Sequence, residues 1–138
     1  MVAADTNVDR ARRILAMLRE GGVEDVAELL DERVRMEMPF APQGTPSLVE
    51  GRTAVMEALR FVPKHFTRFR INPHECYVCE PRGTVILECT SIGIHRSADA
   101  PAYQNRYVML FTFENGRLTR WREFFNPYPV LWSAPYLT

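Results

Sequence analysis

At 138 residues and 16.0 kDa, the chain has the length of one ordinary domain, so a single hydrophobic core is expected over residues 1–138. Seventeen Lys plus Arg residues balance seventeen Asp plus Glu residues, and a formal charge of zero leaves no basic surplus for phosphates, which disfavours nucleic-acid binding. No apolar run approaches the ~18 residues of a membrane span, and MVAADTNVDR lacks the basic flank of a signal peptide, so we expect a soluble, cytoplasmic protein.

Helical spacing of apolar residues dominates the first half of the chain. Helices are predicted over 5–20, 23–30 and 53–62. Asp5 or Thr6 can cap the first helix, because a short polar side chain there accepts a hydrogen bond from a free amide of the first turn. Pro63 is expected to end the third, because proline has no amide hydrogen to continue the ladder.

Alternating apolar residues dominate the second half. Strands are predicted over 34–39, 84–95, 103–114 and 117–125, and a broken strand is predicted within 66–79. The pair Asn115-Gly116 between the last two is a strong hairpin signal, because a type I′ turn needs positive φ at both central positions. Helices followed by a meander of strands predict an α+β domain, in which a curved antiparallel sheet wraps around three N-terminal helices.

The alternation places a carboxylate on the inner face of the last strand. Trp121, Glu123 and Phe125 share one face, and the aromatic rings mark that face as internal. The neighbouring strand over 103–114 also has its bulky side chains on one face, at Asn105, Tyr107, Met109, Phe111 and Phe113. On the strand over 84–95, Glu88 shares a face with isoleucines and is predicted to point inward too.

Two interpretations of Glu123 remain open. An inward carboxylate lowers stability unless it is paired, hydrogen-bonded or protonated. Glu123 could form an ion pair with Arg120 or Arg122 at the sheet margin, or it could be a carboxylic acid of raised pKa that moves protons in a dry cavity.

Other chemistry is poorly supported by spacing. Cys76 and Cys79 follow His74 closely, but strand residues three apart point to opposite faces, which argues against a metal or redox site. His65 could act as an acid or base, although a lone histidine is more often structural. With no Gly-rich phosphate loop, nucleophile elbow or His-rich cluster, no metal and no cofactor are expected.

The apolar tail over 126–138, NPYPVLWSAPYLT, would be a liability if it were exposed. We expect it to pack over a cavity mouth, against a second subunit, or into the core of its own domain.

Taken in order, MEMPFAP, VEGR, LEC, YQNRYVMLFTFENG and RLTRWREFFNP resemble the SnoaL-like branch of the nuclear-transport-factor-two-like superfamily, and most of all its phenazine-biosynthesis A/B family. The resemblance implies a cone-shaped α+β fold, a pocket between sheet and helices, no cofactor, and a homodimer through the outer sheet face.

In the phenazine family a last-strand glutamate that matches Glu123 acts as acid and base. The family's histidine and serine on the third helix correspond to Ala58 and Val62 here. His65 lies about two helical turns after Ala58, so it can take the place of that histidine only if the helix continues through Pro63.

Three functions are consistent with these residues. The preferred one is a cofactor-independent enzyme of specialised metabolism that isomerises, cyclises or condenses a small apolar or carbonyl-containing substrate, with Glu123 as proton carrier and His65 in reserve. Glu88, Asn105 and Tyr103 would orient the substrate, and the pocket would also include Tyr107, Trp121, Met38 and Met109. The alternatives are epoxide-hydrolase-like hydrolysis, in which Glu88 and Glu123 activate one water, and a non-catalytic ligand-binding or assembly protein.

Overall fold

The computed structural model describes residues 6–19 and 21–137. Its helices are α1 (Asn7–Arg19), α2 (Arg52–His65) and α3 (Pro127–Ser133), with 3-10 helices at Val23–Leu29 and Ala134–Tyr136. Its strands are β1 (Leu30–Glu37), β2 (Leu48–Glu50), β3 (Phe66–Cys79), β4 (Thr84–His95), β5 (Tyr103–Glu114) and β6 (Arg117–Phe125). The α+β prediction is confirmed.

The start of α1 shows how the local sequence sets an element boundary. Thr6 Oγ1 accepts a hydrogen bond from the Asp9 amide at 3.1 Å, and the Thr6 amide donates to Asp9 Oδ2 at 3.2 Å. This reciprocal pair satisfies amides that have no partner within the helix. The alternative cap Asp5 and the predicted helix end at Glu20 lie outside the described residues.

All six strands form one sheet, in the order β2-β1-β6-β5-β4-β3. The strands from β3 to β6 form an antiparallel meander, and Asn115 and Gly116 have the positive φ values of 52° and 78° that the hairpin signal predicted. β1 runs parallel to β6, so the predicted antiparallel sheet contains one parallel pair of strands. No hairpin fixes the relative direction of these two strands, because most of the chain lies between them.

α2 continues three residues beyond its predicted end, through Pro63 to His65. The Arg96 guanidinium donates to the Pro63 carbonyl at 3.1 and 2.8 Å, and the Arg96 amide donates to the His65 carbonyl at 2.9 Å. These bonds satisfy carbonyls of the last helical turn and offset the hydrogen bond that proline removes.

α1, the first 3-10 helix and α2 lie against one face of the sheet, called here the inner face. Its buried side chains include Val85, Leu87, Met109, Phe111, Phe113, Trp121 and Phe125. The Phe111 and Trp121 rings meet edge to face, with centroids 4.8 Å apart. No helix in residues 6–19 and 21–137 is long and apolar enough to cross a membrane.

Candidate active site

Glu123 lies on the inner face of β6, among aromatic side chains. Its neighbours along the same face are Trp121 and Phe125, both buried, and across the sheet it pairs with Met109. Trp121 Nε1 donates to Glu123 Oε1 at 3.3 Å. Removal from water raises the pKa of the Glu123 carboxyl to about 7, although the Trp121 hydrogen bond lowers it somewhat. This side chain can therefore exchange a proton near neutral pH.

The ion-pair interpretation of Glu123 is wrong, because the arginines of β6 point to the outer face. Arg120 Nη2 lies 2.9 Å from Glu37 Oε2, and Arg122 Nε lies 3.4 Å from the same oxygen. Arg120 and its neighbours hold the pKa of the Glu37 carboxyl below its ordinary value. Strand alternation thus keeps these cations on the side of the sheet opposite Glu123.

A chain of hydroxyl and amide groups runs along the inner face of β5 next to Glu123. Asn105 Nδ2 donates to Tyr103 Oη at 2.8 Å, and Tyr107 Oη lies 2.8 Å from Ser91 Oγ on β4. The two phenols lie close enough to influence each other's pKa. Burial raises the pKa of both tyrosines, and the nearby Glu123 charge raises it further, so they remain neutral donors.

Glu123, Tyr103 and Tyr107 open onto one cavity of about 450 Å³ between the sheet, α2 and the tail. Its wall is mostly apolar and includes Met38, Phe61, Val62, Phe66, Phe69, Phe125, Val130 and Leu137. Glu123 is the only charged residue on the wall within the described part of the chain. The prediction that the tail packs over a cavity is confirmed, because Val130 and Leu137 of that segment lie on the cavity wall.

Glu88 does not share this cavity. β4 buries Val85, Leu87 and Cys89, so Glu88 points to the outer face, where Tyr77 Oη donates to its Oε2 at 2.8 Å. It borders a separate outer depression of about 400 Å³. The predicted inward orientation of Glu88 is therefore wrong. Both faces of β4 carry large aliphatic residues, so alternation alone did not identify the inner one.

His65 is also separated from Glu123. Although α2 extends to it, His65 borders a surface pocket with Lys64, Arg96 and Tyr136. Burial and the Lys64 charge lower the pKa of His65, so the neutral imidazole is favoured. The helix extension does not bring this histidine to the wall of the Glu123 cavity.

Of the remaining residues predicted to form the pocket, one lies on the cavity wall and the others are buried behind it. Met38 lies on the wall. Met109 and Trp121 are almost fully buried behind it, where Trp121 acts on Glu123 through its hydrogen bond. Asn105 is also behind the wall and binds the backbone of Asn126, at the start of the tail, through both halves of its amide.

Sequence reasoning missed Ser133 and His95. Ser133 lies on the cavity wall at the end of α3, and His95 contacts it from the end of β4. The alternation of side chains along β4 was the signal that could have found His95. His95 lies on the same face as Val85, Leu87 and Cys89, which is the inner face in the structure.

The three cysteines carry no cross-link, and burial raises the pKa of Cys89 to about 12, which keeps it as a thiol. Among residues 6–19 and 21–137, no group of three or more His, Cys, Asp or Glu side chains is placed to hold a metal ion.

Comparison with known proteins places these features in a family. The model of the SnoaL-like domain matches residues 11–121. YesE of Bacillus subtilis (strain 168) is 29% identical over 119 residues, which cover 86% of this chain and 80% of YesE. The PhzA/B-like protein PA3332 of Pseudomonas aeruginosa is 25% identical over 113 residues, covering 82% of this chain and 79% of that protein.

Among solved structures, that of a Bacillus subtilis protein provisionally assigned as an isomerase superposes with a TM-score of 0.82. It is 26% identical, and the superposition covers 94% of this chain and 93% of that one. The resemblance inferred from the sequence motifs is confirmed by these matches.

Proposed function

The chain belongs to the SnoaL-like domain family, a family of small-molecule enzymes, and from that premise we propose that it carries out cofactor-free acid/base chemistry on a neutral carbonyl compound. One observation carries the proposal: Glu123, whose pKa is raised to about 7, is the only charged side chain among the described residues on the wall of a mostly apolar cavity. Isomerisation and cyclisation both begin with the step that such a group performs, removal of a proton next to a carbonyl.

In this proposal, ionised Glu123 removes a proton from the carbon adjacent to the carbonyl group. The electron pair moves onto the carbonyl oxygen, and a neutral tyrosine hydroxyl of Tyr103 or Tyr107 donates a hydrogen bond to the enolate that forms. Glu123, now protonated, returns the proton to a different carbon in an isomerisation. In a cyclisation the enolate carbon attacks a second carbonyl of the same molecule, and the proton goes to the new alkoxide.

Exchange of α-protons in D₂O tests the first step without knowledge of the natural substrate. The probe is 2-tetralone, a neutral bicyclic ketone, and loss of its α-proton signal is followed by NMR. We expect the wild type to accelerate exchange and Glu123→Gln to reduce the acceleration by about 10²-fold or more. Because the ionised form is the base, the wild-type rate should rise with pH and level off above about 7.

Glu88→Gln is the matched control, since Glu88 is a carboxylate on the opposite face of the sheet. It should exchange the probe at the wild-type rate. Full activity of Glu123→Gln would contradict the proposal. If the wild type and both variants bind the probe but none of them accelerates exchange, the alternative of a non-catalytic ligand-binding protein is supported instead. Hydrolysis by Glu88 and Glu123 acting on one water is not supported, because the two side chains lie on opposite faces.

We also propose a homodimer formed through the outer face of the sheet. Large apolar side chains lie exposed there on β3, β4 and β5, at Tyr77, Ile92, Ile94 and Val108. A monomer would leave this surface in contact with water, and exposed apolar patches of this kind commonly mark protein interfaces.

A further inference from the structure

The tail also places a polar side chain on the cavity wall, apart from Glu123, Tyr103 and Tyr107. Ser133, the last residue of α3, is 1% exposed and lines the cavity, and its Oγ lies 3.3 Å from His95 Nε2. His95 is the last residue of β4 and is 5% exposed. The pair connects the tail to the sheet at a place where water has little access.

The surroundings of His95 indicate which ring nitrogen carries the proton. Aromatic rings surround the imidazole, including Phe66 with centroids 4.5 Å apart and Trp132 at 6.2 Å. Nδ1 is buried and has no hydrogen-bond partner among the described residues. An unsatisfied buried N–H is more costly than an unused lone pair, so the proton belongs on Nε2. Burial, with the charge of nearby His65, lowers the pKa of His95 and favours this neutral form.

This tautomer determines the direction of the Ser133 hydroxyl. With Nε2–H as the donor, Ser133 Oγ accepts the hydrogen bond and keeps its own hydrogen available. Within the described chain Ser133 Oγ has no other hydrogen-bond partner. Because Ser133 lies on the cavity wall, the free O–H can donate to a molecule inside it.

We propose that the cavity takes a neutral, largely apolar ring compound with two oxygen functions, one beside Glu123 and one that accepts a hydrogen bond from Ser133. Ser133 is then a binding residue, and His95 is a positioning residue that orients the serine hydroxyl. The inference rests on the proposed function and specifies its substrate class. An anionic ligand is disfavoured, because the only charged group on the described wall is the carboxyl of Glu123.

Paired probes test the second oxygen site. Dissociation constants are measured by fluorescence for 2-naphthol, which has one hydroxyl, and for 1,5-, 2,6- and 2,7-dihydroxynaphthalene. At least one diol should bind the wild type roughly fivefold more tightly than 2-naphthol, which is the contribution of one buried hydrogen bond. Ser133→Ala should remove this preference and leave the affinity for 2-naphthol within about twofold of wild type.

Variants of His95 test the positioning role. His95→Gln keeps an N–H donor and should retain most of the preference, whereas His95→Phe should lose it. Ser97→Ala, at a serine outside the cavity, is the matched control and should behave as wild type. Damage to the fold would weaken the binding of 2-naphthol and the diols together, so the ratio of their affinities reports only on the second site.

The inference is overturned if no diol binds the wild type more tightly than 2-naphthol, or if the preference survives in Ser133→Ala. Failure of the proposed function has a different signature. In that case Glu123→Gln leaves 2-tetralone exchange unchanged, even if the preference for a diol is present and depends on Ser133.

Discussion

At the scale of single residues, Glu123 should make the stability of the protein depend on pH. Its carboxyl group has a pKa of about 7 in the folded state, against an ordinary value of 4.5. Between these values the unfolded chain has lost the proton while the folded chain retains it. The free energy of unfolding therefore falls as pH rises through this window, and the loss is complete above about 7.

Glu123→Gln removes this penalty and should stabilise the protein at alkaline pH. Each pKa unit corresponds to about 1.4 kcal/mol, so the gain cannot exceed about 3.5 kcal/mol, and partial access to the cavity reduces it to the order of 2 kcal/mol. Urea denaturation at pH 5 and pH 8 measures the difference. The advantage of the variant should be small at pH 5 and should grow at pH 8.

Glu88→Gln is again the control, because Glu88 lies exposed on the outer face. It should produce no gain in stability that grows with pH. An equal effect of the two substitutions would show that loss of any negative charge stabilises the domain, and that Glu123 is not specially desolvated.

Trp121 should limit how far the pKa of Glu123 rises. Its indole N–H binds the carboxylate at 3.3 Å and so favours the ionised form. Trp121→Phe keeps an aromatic ring but removes the donor, and the pKa should move above its value of about 7. Titration of the ¹³C-labelled glutamate carboxyl by NMR measures the shift.

Trp132→Phe is the matched variant, since Trp132 contacts His95 and Tyr103 rather than Glu123. It should leave the Glu123 titration where it is in the wild type. An unchanged or lower pKa in Trp121→Phe would contradict the assigned role of the indole.

At the scale of elements, the start of the tail is fixed to the sheet by a buried side chain of β5. Asn105 Nδ2 donates to the Asn126 carbonyl at 2.9 Å, and the Asn126 amide donates to Asn105 Oδ1 at 3.0 Å. Asn126 in turn caps α3 by accepting from the Tyr128 amide at 3.1 Å. This arrangement fixes where α3 begins and hence where the tail meets the cavity.

Asn105→Ala should loosen α3 and the tail. Loss of the amide leaves the N–H and C=O of Asn126 without their partner, which should cost about 2 kcal/mol. Hydrogen exchange followed by mass spectrometry should show faster exchange over 127–137, with β3 unchanged. Gln104→Ala changes an exposed neighbour and should preserve the wild-type pattern. Protection of the tail in Asn105→Ala would show that apolar packing alone holds it.

How well the sequence predicts an element depends on its length and on the local signal. The bounds of β3 to β6 agree with the alternation, because these strands have 9 to 14 residues and the Asn115-Gly116 turn fixes one register. β2 was missed, because a strand of three residues carries no periodicity and exists only through its pairing with β1. The predicted end of α2 was wrong because Arg96, a residue distant in sequence, satisfies carbonyls of the last helical turn.

At the scale of the whole molecule, the cavity joins residues whose proximity no local pattern contains. Phe61 of α2, Tyr103 of β5, Glu123 of β6 and Ser133 of α3 reach the same wall only after the sheet has assembled. Alternation along β6 was enough to place Glu123 on the inner face. The position of Glu88 on the opposite face could not be predicted in the same way, because the outer face of β4 is itself partly apolar.

The exposed apolar side chains of this outer face lead to the prediction of a dimer. Val108 is 40% exposed near the middle of the face, and its cross-strand neighbours are Glu88 and Phe124. Val108→Arg should be tolerated within one subunit, because Glu88 lies directly opposite the new charge. In a dimer it would bury a cation against the apolar surface of the second copy, which is strongly unfavourable.

Sedimentation equilibrium at micromolar concentration should give a dimer for the wild type and a monomer for Val108→Arg. Circular dichroism should show the same fold for both, because the substitution does not touch the inner face. Thr53→Arg, which adds the same charge at an exposed position of α2, is the control and should remain dimeric. A monomeric wild type, or a dimer that persists in Val108→Arg, would show that this face does not join two subunits, and the exposed side chains of β3 to β5 would need another explanation.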